Sequence, residues 1–156
     1  LHLCDRRQRQ MCIRDRLQDI CSYAGEEDAV LIHDAARPLL SAGLIHDCLQ
    51  GLVGYDGVLP VLPMKDTVYL SEDGKEISSL LDRKQIFAGQ APEAFRLGSY
   101  CRANQALMPD RILTINGSTE VAVMAGMKVH MIPGDERNFK ITTAEDLQRF
   151  ERIVTA

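Results

Sequence analysis

A four-residue apolar run, Ala29-Val30-Leu31-Ile32, stops abruptly at His33-Asp34, and this junction constrains the fold more than any other feature of the chain. A short run with no polar interruption is the pattern of a parallel strand buried on both faces. Ser41 then opens a helix in which Leu44, Ile45, Cys48, Leu49 and Leu52 recur at helical spacing. Residues 57–62 predict a second buried strand, with Pro60 favouring a bend or an edge position. Strand, helix and strand in succession predict an α/β sheet. In such sheets ligands bind beyond the carboxyl ends of the strands, which directs attention to residues 33–38, 63–67 and 138–142.

The remaining pattern is consistent with one continuous unit from Leu17 onward. Residues 66–70 and 77–81 flank Ser71-Glu72-Asp73-Gly74-Lys75, a hairpin signal. Residues 95–107 predict a helix, and residues 120–125 another, capped near Ser118 or Thr119 and stopped by Gly126. Residues 128–132 alternate as a strand does. Thr143-Ala144-Glu145-Asp146 has the form of a capping box, opening a last helix whose buried stripe is expected to be Leu147, Phe150, Ile153 and Val154.

The 156 residues suffice for one domain with a core, and 46% hydrophobic with 26% charged residues is ordinary globular composition. No apolar run approaches the roughly 18–20 residues that span a bilayer. The first residues lack the apolar segment and cleavage site of a secretory signal, so a cytoplasmic protein with reduced thiols is expected. Cys4, Cys12, Cys21, Cys48 and Cys101 show neither CxxC nor mixed Cys/His spacing, so neither zinc nor a disulfide framework is expected.

Arg6-Arg7-Gln8-Arg9-Gln10 has the composition of a nucleic-acid-binding arm or of a solvated terminus. A third origin accounts for more. Residues 6–16 are the translation of CGT CGG CAG CGT CAG ATG TGT ATA AGA GAC AGR, the DNA of a transposon-based sequencing adapter. Leu1-His2 fits the flanking primer, and Leu3-Cys4-Asp5 covers the index. Residues 1–16 are therefore expected to be adapter translation, irregular in structure, with native upstream sequence missing. They hold five arginines and two aspartates, so their removal takes the formal net charge from −4 to −7. Without the basic arm, no nucleic-acid partner is expected.

Four segments could carry chemistry. His33-Asp34-Ala35-Ala36-Arg37-Pro38 places a carboxylate able to hold a divalent metal three residues before an arginine whose planar fork suits phosphate. The plain alternative is a strand-end turn with a surface ion pair. Met64-Lys65-Asp66-Thr67 and Asp82-Arg83-Lys84 are weaker: alone, the first reads better as a satisfied turn and the second as a solvated face. Asn138-Phe139-Lys140-Ile141-Thr142 sets a lysine between apolar residues, where it either snorkels to solvent or reaches an anion. No GxGxxG, Walker loop, GxSxG or HExxH pattern competes. Asn116-Gly117-Ser118 is a glycosylation sequon that reads as a turn and helix cap.

Together these segments resemble the methylerythritol-phosphate cytidylyltransferases. The residues that carry the likeness are His33-Asp34-Ala35-Ala36-Arg37-Pro38, Pro63-Met64-Lys65-Asp66-Thr67, Asp82-Arg83, Gly89-Gln90-Ala91-Pro92-Glu93-Ala94-Phe95, and the run from Asn138 to Leu147. They occur in the family's order over essentially the whole chain from Ala29.

The resemblance implies a Rossmann-like nucleotidyltransferase fold and a homodimer joined by the hairpin arm near residues 66–84. It implies transfer of CMP from CTP to a polyol phosphate, most directly 2-C-methyl-D-erythritol 4-phosphate, in isoprenoid precursor synthesis. Pyrophosphate is released and Mg2+ assists. Asp34 would bind metal and acceptor, Arg37 and Thr67 the acceptor, Arg83 the acceptor phosphate across the dimer, and Lys140 would stabilise charge on the reacting phosphates. Residues 17–156 would then be the C-terminal, acceptor-binding portion, inactive alone because the family's nucleotide-binding glycine-rich loop is absent.

Ala91 stands where the family usually has threonine, and Asn116-Gly117-Ser118-Thr119-Glu120 replaces an acidic segment. These departures keep open a ribitol-5-phosphate cytidylyltransferase making CDP-ribitol. A non-catalytic remnant that only oligomerises or binds phosphate is the third reading.

Overall fold

In the computed structural model, residues 6–108 and 111–155 are described, and they form an α/β/α arrangement around a five-stranded sheet. The chain runs α1 (Arg6–Ile20), β1 (Ala29–Ile32), α2 (Ala42–Gly51) and β2 (Gly57–Pro63). The hairpin β3 (Val68–Leu70) and β4 (Ser79–Leu81) follows, then β5 (Phe87–Gly89) and β6 (Glu93–Arg96). It closes with α3 (Leu97–Ala106), α4 (Ser118–Met124), β7 (Val129–Pro133) and α5 (Ala144–Val154).

Adjacent residues of β6 serve opposite faces, because side chains alternate along a strand. Ala94 packs with Leu44, Cys48, Leu52, Val58 and Ile132 under α2. Phe95 packs with Leu17, Leu97, Tyr100, Leu107, Ile115 and Val121 under α1, α3 and α4.

Residues 29–32 were expected to form a parallel strand buried on both faces, and they do not. Strand β1 pairs only with β6 among the described residues, antiparallel, with Ala29 opposite Arg96 and Ile32 opposite Glu93, and it is partly rather than fully buried. Strand β2 pairs in parallel with β7 on one side, and antiparallel with β6 and then β5 on the other. Pro60 is therefore central, not at an edge. It lies in the interval between Val58, which pairs with β6, and Val61, which pairs with β5, where its missing N–H interrupts no bond on that side. Its carbonyl accepts from Gln90 N at 2.8 Å.

The hairpin, the Ser41 cap of α2, and the Thr143/Asp146 capping box of α5 form as the sequence predicts. Hydrogen bonds from Thr142 and Thr143 hold the Asp146 carboxyl down at about 2. Gly126, at φ +72, stops α4, but Gly117 is its N-cap and no side chain caps it. Residues 95–96 are strand, not the start of α3.

Three further expectations fail. Helix α1 runs through residues expected to be irregular, since they are rich in strong helix formers, and Ile13, Leu17 and Ile20 share one face against the core. The α5 stripe is not buried: Leu147 and Val154 are about half exposed. Cys21 and Cys101, 80 residues apart, form a disulfide where free thiols were expected, because the α1 end docks on α3. No described helix is long and apolar enough to cross a membrane.

Candidate active site at the ends of β1 and β7

Where β1 ends, the chain turns through Asp34 to Arg37, whose backbone N–H returns to the Asp34 carbonyl at 2.9 Å. Where β7 ends, Gly134 begins a loop to Lys140. The two meet because Ile141 N donates to the Ala36 carbonyl at 2.8 Å and Arg37 Nη1 donates to the Asn138 carbonyl at 2.7 Å. Strands β1 and β7 run in the same direction on either side of β6 and β2, which brings two distant loops to one end of the sheet.

The ion pairs are centred on one carboxylate oxygen. Asp34 Oδ2 lies 3.0 Å from Lys140 Nζ and 3.7 Å from Arg37 Nε. Arg37 Nε is buried and makes no hydrogen bond, so the guanidinium keeps donor capacity on this side. His33 Nε2 lies 3.0 Å from the Arg37 carbonyl, bracing the turn.

The Lys140 loop is held from beneath by two amides. Asn138, fully buried, donates Nδ2 to the Ala91 carbonyl at 2.7 Å. Gln90 donates Nε2 to the Asp135 carbonyl at 3.0 Å and accepts from Asp135 N at 3.0 Å. A Cβ at Gly134 would meet Gln90 Oε1 and come 3.1 Å from the Val61 carbonyl, so a larger residue here would push Gln90 off its bonds to Asp135. Arg149 lies over the Phe139 ring at 4.1 Å, tying α5 to the same loop.

Asn138→Ala is accordingly expected to cost about 1–3 kcal/mol of stability by orphaning the buried Ala91 carbonyl. It should also loosen Lys140. Denaturant unfolding, read beside the phosphate affinity of the folded variant, checks both; unchanged values would remove Asn138 from this role.

A cavity of about 330 Å³ opens here, lined by Ile32, His33, Asp34, Arg37, Ala91, Glu93, Lys140 and the segment Asn116 to Ser118. The cavity therefore joins Asp34, Arg37 and Lys140. It does not include the other two candidates. Thr67 is exposed just before β3, and Arg83 is exposed beyond β4, where its Nη1 donates to the Lys65 carbonyl at 2.8 Å. Lys65 also forms a salt bridge with Glu136.

Glu93 was not singled out from its position in the sequence. Burial pushes its carboxyl above the usual carboxylate range; the neighbouring Thr119 and Ser118 groups oppose the rise, and the charge of Asp34 adds to it.

The family model IspD, 2-C-methyl-D-erythritol 4-phosphate cytidylyltransferase, matches residues 7–156. The chain belongs to this family. It is 38% identical over 136 residues to 2-C-methyl-D-erythritol 4-phosphate cytidylyltransferase of Rubrobacter xylanophilus, a match covering 85% of this chain and 58% of that protein. It is 36% identical over 131 residues to the bifunctional enzyme IspD/IspF of Maricaulis maris, covering 81% of this chain and 32% of that protein. The crystal structure of 2-C-methyl-D-erythritol 4-phosphate cytidylyltransferase from Thermus thermophilus superposes with a TM-score of 0.79 at 26% identity, over 95% of this chain and 70% of that one. This IspD-family chain thus has the Rossmann-like nucleotidyltransferase fold. It spans between about a third and three-fifths of the curated relatives it matches.

Proposed function

We propose that this chain supplies the acceptor-binding side of a CTP-dependent cytidylyltransferase whose acceptor is 2-C-methyl-D-erythritol 4-phosphate. The observation that carries the reading is the convergence of Asp34, Arg37 and Lys140 on one cavity from two ends of the chain. Two cations beside one carboxylate suit an anionic ligand carrying a divalent ion.

In the proposed reaction an acceptor phosphate oxygen attacks the α-phosphorus of CTP. A new P–O bond forms, the bond to the bridging oxygen of the β-phosphate breaks, and pyrophosphate leaves with its electron pair. Such transfers depend on positioning and charge neutralisation. Arg37 holds the acceptor phosphate, and Lys140 offsets charge on the reacting phosphates as it redistributes. Asp34 orients Lys140 through their 3.0 Å contact. Thr67 and Arg83 are proposed as acceptor contacts completed by a homodimer built on the hairpin arm, with Arg83 acting in the partner's site. Asp34 is also the group that would hold Mg2+, which takes one or two carboxylates and fills its other positions with water and phosphate oxygens. Bound there, the ion would supply charge neutralisation. Among the described residues no three His, Cys, Asp or Glu side chains cluster for a metal, so the fit is to a one-carboxylate site. The cytoplasm is the proposed compartment.

Ala91 and the segment from Asn116 both line the cavity, so the features that favour ribitol 5-phosphate lie where an acceptor would be read. Pyrophosphate release from CTP, measured for an enzyme of the family's full length carrying this segment, separates the readings. Methylerythritol 4-phosphate is expected to be used at least about 10-fold more efficiently than ribitol 5-phosphate, the discrimination a few hydroxyl contacts supply. The reverse order makes CDP-ribitol the product, and no release with either leaves the non-catalytic reading.

A further inference from the structure

Arg37 and Lys140 face one cavity from segments far apart in the chain, so their relation depends on how the loop after β7 is held. Arg37 Nη1 donates to the Asn138 carbonyl at 2.7 Å, while Arg37 Nε has no hydrogen-bond partner and stands 3.7 Å from Asp34 Oδ2. The short bond to Asn138 therefore sets the plane of the guanidinium. Its direction is only as definite as the position of that carbonyl.

Gln90 fixes the position. It is 5% exposed, and the three hydrogen bonds of its side-chain amide all go to the loop after β7. Nε2 donates to the Asp135 carbonyl at 3.0 Å and to the Asn138 carbonyl at 3.4 Å, and Oε1 accepts from Asp135 N at 3.0 Å. The Asp135 carbonyl also accepts from Asn138 N at 2.9 Å, so the loop closes on itself around the amide. The base beneath is the sheet: Gln90 N donates to the Pro60 carbonyl of β2 at 2.8 Å. An amide offers two donors and an acceptor in one plane, and here backbone groups meet each of them. Buried polar groups paired in this way hold one arrangement, because any other leaves a group unpaired.

Resting on the acceptor reading above, we infer that Gln90 is a positioning residue that aims Arg37 at the acceptor phosphate through the Asn138 carbonyl both side chains share. Gln90 does not itself line the cavity, so it acts through Arg37 and not on the ligand.

The test is calorimetric binding of inorganic phosphate to this chain, read beside the 1H–15N signal of the Arg37 Nε–H group. Gln90→Met keeps the length of the side chain and removes its donors and its acceptor. It is expected to weaken phosphate binding about 5–10-fold, the equivalent of one lost hydrogen bond. Made in Lys140→Ala, where Arg37 remains, the same substitution should keep that effect. Made in Arg37→Ala, it should change affinity by less than about twofold, because the residue it acts through is gone. The Arg37 signal, assigned by its loss in Arg37→Lys, is expected to shift and to exchange faster with solvent in Gln90→Met. Gln90→Glu keeps the size and, ionised, has no donor, so it gives the same readings even where methionine fails to fold. Equal losses in the two backgrounds, or an unmoved Arg37 signal in a folded Gln90 variant, overturn the assignment and leave the acceptor reading standing. Absence of phosphate binding by the unsubstituted chain overturns the acceptor reading itself, and this role of Gln90 with it.

Discussion

Lys140→Ala and Asp34→Asn are each expected to lower turnover by on the order of 100-fold or more in an enzyme of the family's full length, with the fold intact. Lys140 Nζ and Asp34 Oδ2 stand 3.0 Å apart at the cavity wall, so each fixes the other as well as facing the ligand. Removing the lysine deletes a positive charge that water cannot replace in a closed site. Removing the charge of Asp34 leaves Lys140 without its anchor and takes away the proposed metal ligand. Both side chains are partly exposed, so neither substitution should unfold the protein. Rates of pyrophosphate release, with circular dichroism as the check on folding, decide the point. Near-normal turnover in either variant contradicts the assigned roles.

Phe95→Ala is expected to have the largest effect on stability, about 3–5 kcal/mol. The ring is fully buried and stacks on Tyr100 with centroids 4.1 Å apart. It also fills the space above Gly57, where a Cβ would come within 2.7 Å of it. A domain has only about 5–15 kcal/mol in hand, so this single truncation removes a large part of it. The effect reaches the site, because Tyr100 Oη donates to the Ser118 carbonyl at 3.0 Å and Ser118 lines the cavity. Urea unfolding of the parent and variant chains measures the loss. A change below about 1 kcal/mol would place the ring outside the core.

Local chemistry was legible in the residues themselves. The apolar run before His33-Asp34 predicted the strand β1, though not its antiparallel pairing. The Thr143/Asp146 capping box predicted the start of α5, and Asp73-Gly74 predicted the hairpin. Each is decided by neighbours within a few positions. Strands β5 and β6 were not legible, because three or four residues carry too little pattern, and Phe95 continues smoothly into the apolar spacing of α3. The spacing of α5 does mark one apolar side, but nothing in that spacing states whether another element covers it.

What the sequence by itself determined was the set of groups: a carboxylate and an arginine after one strand, a lysine between apolar residues after another, and their resemblance to one enzyme family. Only the tertiary structure decided which of these share a cavity. It brought Lys140 to Asp34 across the sheet and left Thr67 and Arg83 outside. It paired Cys21 with Cys101, placed Asn138 and Gln90 beneath the loop, and buried most of Glu93 at the start of β6. The physical reason is range. Capping, turns and amphipathic spacing act over a few residues, whereas burial and long-range hydrogen bonding depend on which strands become neighbours, and the register of β6 between β1 and β2 is set by the packing of both faces at once.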